Sequence, residues 1–275
     1  MREAGKRILI LGGSGFLGQA IYRELCNYFD TYGTYCSSRR RFEDHGQFVR
    51  YDMLEDELPR LLRELRPDVV ISAVRGDFEA QIQAHAQLVH YAGTHDTRLL
   101  FLSSANVFDA YSKFPSYEFD KTLSESIYGR LKIKIENMLL RMTPEKMAIL
   151  RLPMVFGNTS PRTREIKESL DQGEAIEVFP NLIMNVTTDD KLCQQVHYIV
   201  NRDLHGIFHL GSSDLVHHED FIREICGHLS VRKPLLKRVF TTNDERYLAV
   251  LPKHNPLPEN LQLGYQEVID HHIPQ

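Results

Sequence analysis

Arg7-Ile8-Leu9-Ile10-Leu11-Gly12-Gly13-Ser14-Gly15-Phe16-Leu17-Gly18 is the stretch that decides the fold. A short apolar run meets a cluster of glycines, and an amphipathic segment follows to residue 29. That order reads as strand, tight turn, helix. Such a turn aims backbone N–H groups and a helix N-terminus at one point, which suits a diphosphate. The glycines fit two spacings. Gly13, Gly15 and Gly18 match G-x-G-x-x-G, while Gly12, Gly15 and Gly18 match G-x-x-G-x-x-G. Either spacing uses one glycine to turn, one to admit a pyrophosphate and one to let helix and strand pack. A tight turn without a ligand is the plain alternative. The strand before and the helix after supply the context that a dinucleotide motif requires. Gly12, Ser14, Gly15, Phe16 and Leu17 are the candidate cofactor contacts here.

Outward from this turn, strands are expected at 32–36, 48–51, 69–73, 98–102 and 147–151. Helices are expected at 55–65, 77–92 and 124–140 between them. The run 69–73 is continuously apolar, as in a strand covered on both faces. Strands alternating with helices imply parallel pairing and right-handed crossovers. The expected class is α/β, a doubly wound parallel sheet of the Rossmann type.

The pattern changes beyond residue 157. Residues 158–164 are polar, contain Pro161 and read as a loop. A helix is expected at 188–200, a strand at 206–210 and a helix at 219–229. The tail from Pro252 also holds Pro256, Pro258 and Pro274 and reads as loop. The expected organisation is a dinucleotide-binding domain over 1–157 and a smaller mixed α/β substrate-binding region over 158–275, interleaved with the first. Such a C-terminal region covers the carboxyl ends of parallel strands, where ligands sit.

Composition narrows the classes. The chain has 275 residues, 42% hydrophobic and 25% charged, with a net charge of −4. These values argue against a general nucleic-acid or anionic-membrane surface. Cys26, Cys36, Cys193 and Cys226 are scattered and form no C-x-x-C. They read as reduced thiols, and no apolar run has the length of a bilayer span, so a cytoplasmic protein is expected. The histidine pairs His217-His218 and His271-His272 lack a metal-site spacing such as H-E-x-x-H, and no metal is expected.

Two further signals carry chemistry. Ser103-Ser104-Ala105-Asn106-Val107-Phe108 directly follows the strand at 98–102, which places hydroxyls at a strand's carboxyl end. Tyr128-Gly129-Arg130-Leu131-Lys132 sets a phenol and an amine four residues apart, on one helix face. Taken singly, serines cap turns, and a tyrosine and lysine at this spacing are ordinary surface. In this order, after this glycine turn, the set resembles the extended short-chain dehydrogenase/reductase family, over about the first 210 residues. Within it the likeness is to the dTDP-4-dehydrorhamnose reductases and their NAD-dependent epimerase relatives. Those carry a serine-threonine pair before Val-Phe-Asp, matched here by Ser103-Ser104 before Val107-Phe108-Asp109. They then carry Tyr-x-x-x-Lys and an Arg-x-x-x-Val-Tyr-Gly-like run, matched by Arg151-Leu152-Pro153-Met154-Val155-Phe156-Gly157. The likeness extends to the regulatory beta subunits of methionine adenosyltransferase.

The resemblance implies roles. Tyr128 would give a proton to a substrate oxygen as hydride reaches carbon, Ser104 would hydrogen-bond that oxygen, and Lys132 would favour the phenolate and bind the nicotinamide ribose. Free tyrosine titrates near pH ~10, so a neighbouring ammonium is what brings the phenol into range. By place in the family, Asp52 and Met53 should lie near the adenine, Ala73, Val74 and Arg75 near the ribose and pyrophosphate, and Leu152, Pro153 and Met154 beside the nicotinamide. NAD-binding versions set an acid about 20 residues past the glycines, on the ribose 2′-hydroxyl. Here the second strand runs into Cys36-Ser37-Ser38-Arg39-Arg40-Arg41, with no acid. A guanidinium matches a 2′-phosphate, so NADP is expected ahead of NAD, with Ser37, Arg39 and Arg40 as candidates; a solvated basic loop is the alternative.

The chain also departs from the pattern. It has Ser72-Ala73-Val74 where the family often has Asn-Ala-Ala, and Gln81 near a position often held by asparagine. The connection after Ala73 is short. Three functions therefore stay open: an NADP-dependent reductase acting on a keto-sugar, in nucleotide-linked form; a sugar-nucleotide epimerase or dehydratase; and a non-catalytic NADP-binding regulatory subunit. The expected partner is a sugar or nucleotide-sugar. Asn158, Arg162, Arg164, Asn185 and Thr187 fall where relatives reach substrate, though each taken singly reads as structural or solvated. A homodimer is left open.

Overall fold

The computed structural model describes residues 5–37, 42–110, 113–230 and 232–272. Strand β1 (Arg7–Leu11) is an interior strand of the large sheet, buried at Ile8, Leu9, Ile10 and Leu11. Helix α1 (Phe16–Leu25) returns the chain to β2 (Asp30–Tyr35), and β3 (Phe48–Arg50) completes that side. Helix α2 (Leu58–Leu65), β4 (Val69–Ser72), α3 (Phe78–Thr94) and β5 (Arg98–Ser104) continue the alternation. Helix α4 (Ile127–Leu139) leads to β6 (Met147–Leu152), and β11 (Gly206–His209) lies beyond it at the other edge. The seven described strands run in the order β11-β6-β5-β4-β1-β2-β3. β1 pairs in parallel with β2 and β4, β2 with β3, and β4 with β5. The doubly wound Rossmann-type sheet is therefore present. The local reasons are ordinary. Pro59 sits in the first turn of α2, where a missing N–H costs nothing, and Asp77 caps α3 by accepting from Ala80 N at 2.9 Å.

The chain divides into two compact units. The first comprises Met1–Ser103, Leu131–Leu150 and Cys193–Ile207; the second comprises Ser104–Arg130, Arg151–Leu192 and Phe208–Gln275. Each has its own core. In the first, Leu9, Leu11, Val70 and Phe101 of the sheet meet Leu62, Leu88 and Ile135 of the helices. In the second, Phe156, Val178, Met184 and Val186 meet Phe221, Ile225 and Ile269.

The second unit holds short paired strands that the sequence reading passes over. β7 (Met154–Phe156) pairs with β10 (Val186–Thr188), and β8 (Ala175–Val178) with β13 (Leu235–Arg238). β9 (Leu182–Met184) lies between β12 (Val216–His217) and β14 (Arg246–Leu248). Two expectations need correction. The loop expected at 158–164 gives way to a helix from Pro161, α5 (Pro161–Gln172). Ser160 caps it by accepting from Thr163 N at 3.0 Å, so the proline starts the helix instead of interrupting it. The tail is also more ordered than expected: α8 (Tyr265–His272) buries Val268 and Ile269. Upstream of α8, the buried Glu118 carboxylate accepts from Lys253 N at 3.0 Å, His254 N at 3.2 Å and Asn255 N at 3.2 Å. Those N–H groups outweigh its burial and hold its carboxyl below the usual range. The two remaining helices are α6 (Asp189–Asn201) and α7 (His218–Leu229). No described helix is long and apolar enough to cross a membrane.

Three buried histidines set an acid limit on this fold. Burial pushes His85, His209 and His218 down to about 4. Their unfolded values lie near ~6.5, so between those limits the unfolded chain binds more protons. Stability should then rise with pH across that window and fall as pH drops from 6.5 toward 4. Urea midpoints measured at intervals across it should decline steeply, with uptake of about three protons on unfolding near pH 5. A flat profile would contradict the burial.

Candidate functional site

In the first unit the glycine turn is built backbone against backbone. Gly12 has φ +79°, and a Cβ there would stand 2.8 Å from Ala73 O. A Cβ on Gly18 would stand 2.1 Å from Gly12 O. Gly12 is required by conformation and Gly18 by closeness, and a Cβ on Gly13 would stand 2.8 Å from Gly33 Cα, so glycines of both spacings meet real constraints. Gly15 N donates to Gly12 O at 3.0 Å and caps α1, with no side chain at the cap and no acid in the first turn. A cradle that side chains would fill, opening onto a helix N-terminus with no side-chain cap, fits a diphosphate. Thr34, which sequence reasoning missed, anchors it. Its Oγ1 accepts from Gly12 N at 2.9 Å, and its carbonyl accepts from Ser14 N at 3.0 Å. A buried threonine in β2, the strand next to the turn, was the available signal.

The other expected nucleotide contacts divide. Ser37 is exposed, while Arg39 and Arg40 lie outside the described residues. Asp52 accepts from Leu54 N at 2.9 Å and from the Cys36 thiol at 3.2 Å, so it holds its own turn; these donors lower its pKa. Met53 packs on the core. Ala73 and Val74 follow β4 beside the glycine turn, and Arg75 is exposed, with no described carboxylate paired to it. Gln81 is buried and donates from Nε2 to Gly76 O at 3.0 Å, pinning the loop after β4.

Lys132 is 5% exposed. Its Nζ donates to Leu102 O at 2.9 Å and stands 4.6 Å from the Phe101 ring centre. Burial, with the Arg75 guanidinium second, pulls this ammonium down to about 8, against the opposing pull of Glu136. Glu136 lies one turn further along α4 and accepts from Ser103 Oγ at 2.5 Å. Ser103 is thereby committed inward. Glu136 was legible as the i+4 neighbour of Lys132 and was passed over.

In the second unit, Ser104 Oγ donates to Asn106 Oδ1 at 2.9 Å and accepts from Asn106 N at 3.2 Å. It caps the 3-10 turn Ala105–Phe108. Asp109 then organises the approach to α4. It accepts from Ser124 Oγ at 2.7 Å, from Glu125 N at 2.8 Å and from the Ser126 hydroxyl. Burial would raise its pKa, but these donors outweigh it and lower it. Gly129 is the contact point: a Cβ there would stand 2.1 Å from Ser124 Oγ and 2.2 Å from Asn106 O. The residue after Tyr128 therefore packs against the residue two beyond Ser104. Tyr128 itself is 36% exposed, one turn before Lys132 on the same helix.

Behind this turn, Arg151 is 2% exposed. Its Nη1 donates to Glu118 O at 2.9 Å and to His209 Nε2 at 3.3 Å, and its guanidinium carbon lies 4.9 Å from the Phe108 ring centre. Neutral His209 donates from Nδ1 to Leu251 O at 3.1 Å, which leaves Nε2 free to accept. Leu152 is buried and Met154 half-buried. Of the residues placed near substrate by analogy, Asn185 is structural. Its Nδ2 donates to Val250 O at 2.9 Å and to Ser212 O at 3.1 Å, and its Oδ1 accepts from Val250 N at 3.1 Å.

Comparison with known proteins places this architecture. The family model described as the RmlD substrate binding domain matches residues 6–260. Methionine adenosyltransferase 2 subunit beta of Danio rerio is 26% identical over 236 residues, spanning 76% of this chain and 69% of that protein. A dTDP-4-dehydrorhamnose reductase of Aggregatibacter actinomycetemcomitans is 23% identical over 276 residues, spanning 91% and 90%. The crystal structure of a dTDP-4-dehydrorhamnose reductase from Bacillus anthracis, in complex with NADP, superposes with a TM-score of 0.77. It is 18% identical and covers 98% of each chain, a likeness of fold.

Two substitutions test the geometry. Thr34→Val leaves Gly12 N–H without its acceptor and should cost about 1–2 kcal/mol in chemical denaturation. Gly129→Ala drives a methyl group into Asn106 O and should cost about 1–3 kcal/mol. Wild-type stability in the second variant would show that α4 does not dock as described.

Proposed function

The chain belongs to the family of the RmlD substrate binding domain, and on that premise we propose that it is an NADP-dependent reductase acting on the carbonyl of a keto-sugar in nucleotide-linked form. One observation carries the reading. A half-exposed Tyr128 stands one turn before the buried Lys132 ammonium, on a helix clamped at Gly129 to the turn that Ser104 caps.

Gly12, Ser14, Gly15, Phe16 and Leu17 would hold the diphosphate, and Ser37, Arg39 and Arg40 the 2′-phosphate. Asp52 and Met53 would border the adenine, Ala73, Val74 and Arg75 the ribose and pyrophosphate, and Leu152 and Met154 the nicotinamide. The chain up to residue 157 would serve the nucleotide, and 158–275 the sugar. When bound, the reduced nicotinamide supplies a hydride for the carbonyl carbon. Tyr128 gives its hydroxyl proton to the carbonyl oxygen, and the Lys132 charge favours the phenolate left behind. Ser104 donates to the same oxygen once its hydrogen turns away from Asn106 Oδ1, stabilising charge as it develops there. The NADP complex of the Bacillus anthracis reductase, on the same fold, supports the choice of cofactor.

A second reading has its own support. The Danio rerio relative is a subunit of methionine adenosyltransferase, and Ser104 is already engaged with Asn106. On that reading the chain binds NADP and acts through a partner enzyme. Tyr128→Phe separates the two. Under the reductase reading it should lower turnover of a keto-sugar substrate about 100-fold or more, with the dissociation constant for NADPH unchanged within a factor of two. NADPH binding without oxidation by any of a panel of nucleotide-linked keto-sugars, in wild type, would favour the regulatory reading.

A further inference from the structure

Within the second unit, the Asp109 carboxylate joins the two stretches of chain that carry Ser104 and Tyr128. On one side stands the start of α4. Asp109 Oδ1 accepts from Ser124 Oγ at 2.7 Å, Glu125 N at 2.8 Å and Ser126 N at 3.4 Å, and Oδ2 accepts from the Ser126 hydroxyl. Ser126 Oγ in turn accepts from Gly129 N at 2.9 Å, and Ser126 O from Arg130 N at 3.0 Å. Tyr128 lies between Ser126 and Gly129, inside the turn so fixed. On the other side stands the Ser104 turn. Asp109 Oδ2 accepts from Asn106 Nδ2 at 3.4 Å, and Asn106 Oδ1 accepts from Ser104 Oγ at 2.9 Å. Ser104 Oγ also accepts from Asn106 N at 3.2 Å.

The direction of each bond in this chain follows from one fact: an ionised carboxylate only accepts. The Asn106 amide must therefore turn its NH2 toward Asp109, which leaves its oxygen facing Ser104. The Ser104 hydroxyl meets an acceptor and gives it the hydrogen. We propose that Asp109 is a positioning residue for the reaction: as a pure acceptor it fixes the Asn106 amide and so aims the Ser104 hydrogen, while the same carboxylate seats the turn that carries Tyr128. This rests on the reductase reading above. It has a consequence for the ligand. As built, Ser104 has a lone pair to offer and its hydrogen is engaged. A sugar hydroxyl can donate to Ser104 directly, whereas a carbonyl must first win the hydrogen from Asn106 Oδ1. The polarity of the chain therefore favours the alcohol over the ketone.

Asp109→Asn should turn the chain around. The backbone N–H groups of Glu125 and Ser126 claim its carbonyl oxygen, so its NH2 takes the place of Oδ2 and faces the Asn106 NH2. Two donors cannot pair, so the Asn106 amide flips, gives Nδ2 to Ser104 Oγ and releases the Ser104 hydrogen. Neutron diffraction from crystals of the full chain exchanged into D2O reads this without any turnover. Asn106 Oδ1 should face Ser104 in wild type, and Nδ2 should face it in Asp109→Asn; one orientation in both would overturn the proposal. Kinetics with saturating NADPH and a dTDP-linked 4-keto-hexose read the consequence. The released hydrogen should lower KM about 2- to 10-fold in Asp109→Asn. Asn106→Ala, which removes the competing acceptor and keeps Asp109, should do the same. A purely structural side chain would raise KM or lower kcat when replaced, so KM unchanged or raised in both variants would overturn the positioning role. No turnover by wild type of this probe or its UDP- and GDP-linked counterparts would instead overturn the reductase reading, with the direction of the chain still decided by diffraction.

Discussion

Nothing larger than a hydrogen can stand on Gly18, and the rest of the site follows from that. The absent Cβ lets the first turn of α1 rest on the Gly12 carbonyl. The left-handed Gly12 in turn lies against Ala73, at the end of the neighbouring strand β4. Three backbone segments thus meet with no side chain between them, and the amides of α1 open onto the space that remains. Thr34 locks the arrangement by taking the Gly12 N–H that the turn leaves over. A binding surface made of main chain is rigid because side-chain rotation cannot deform it.

A similar economy governs the start of α4. Asp109 collects the hydroxyls and amides of residues 124–126, and Gly129 lets the helix approach Asn106 O. Tyr128 directly precedes Gly129 and is 36% exposed. Lys132, one turn later, is buried. The same helix therefore presents a polar group to solvent and withholds a charge from it.

The glycine turn, the alternation of strands and helices and the Tyr–Lys spacing were all legible in the sequence, because each is a local pattern with a fixed period. The parts played by Gly129 and Asp109 were not, since they lie in what these residues meet across the fold. Asn185 follows the plainer of its two readings, a structural side chain. A polar residue in a region that relatives use for substrate turned out to be spent on Val250 and Ser212. The strands β7 to β10 escaped notice because three or four residues are too few to show alternation. Pro161 in a polar run reads as loop, yet it opens α5, a distinction that depends on the Ser160 cap.

The first unit also draws on Cys193–Ile207, long after its other segments. During translation, β6 emerges well before its outer neighbour β11. At ~5–20 residues per second, a nascent chain would carry that unpaired edge for about 3–10 seconds. A bare edge recruits other strands. Slow ribosomes or crowded polysomes should therefore expose this protein to chaperones in that interval more than at any later stage of its life.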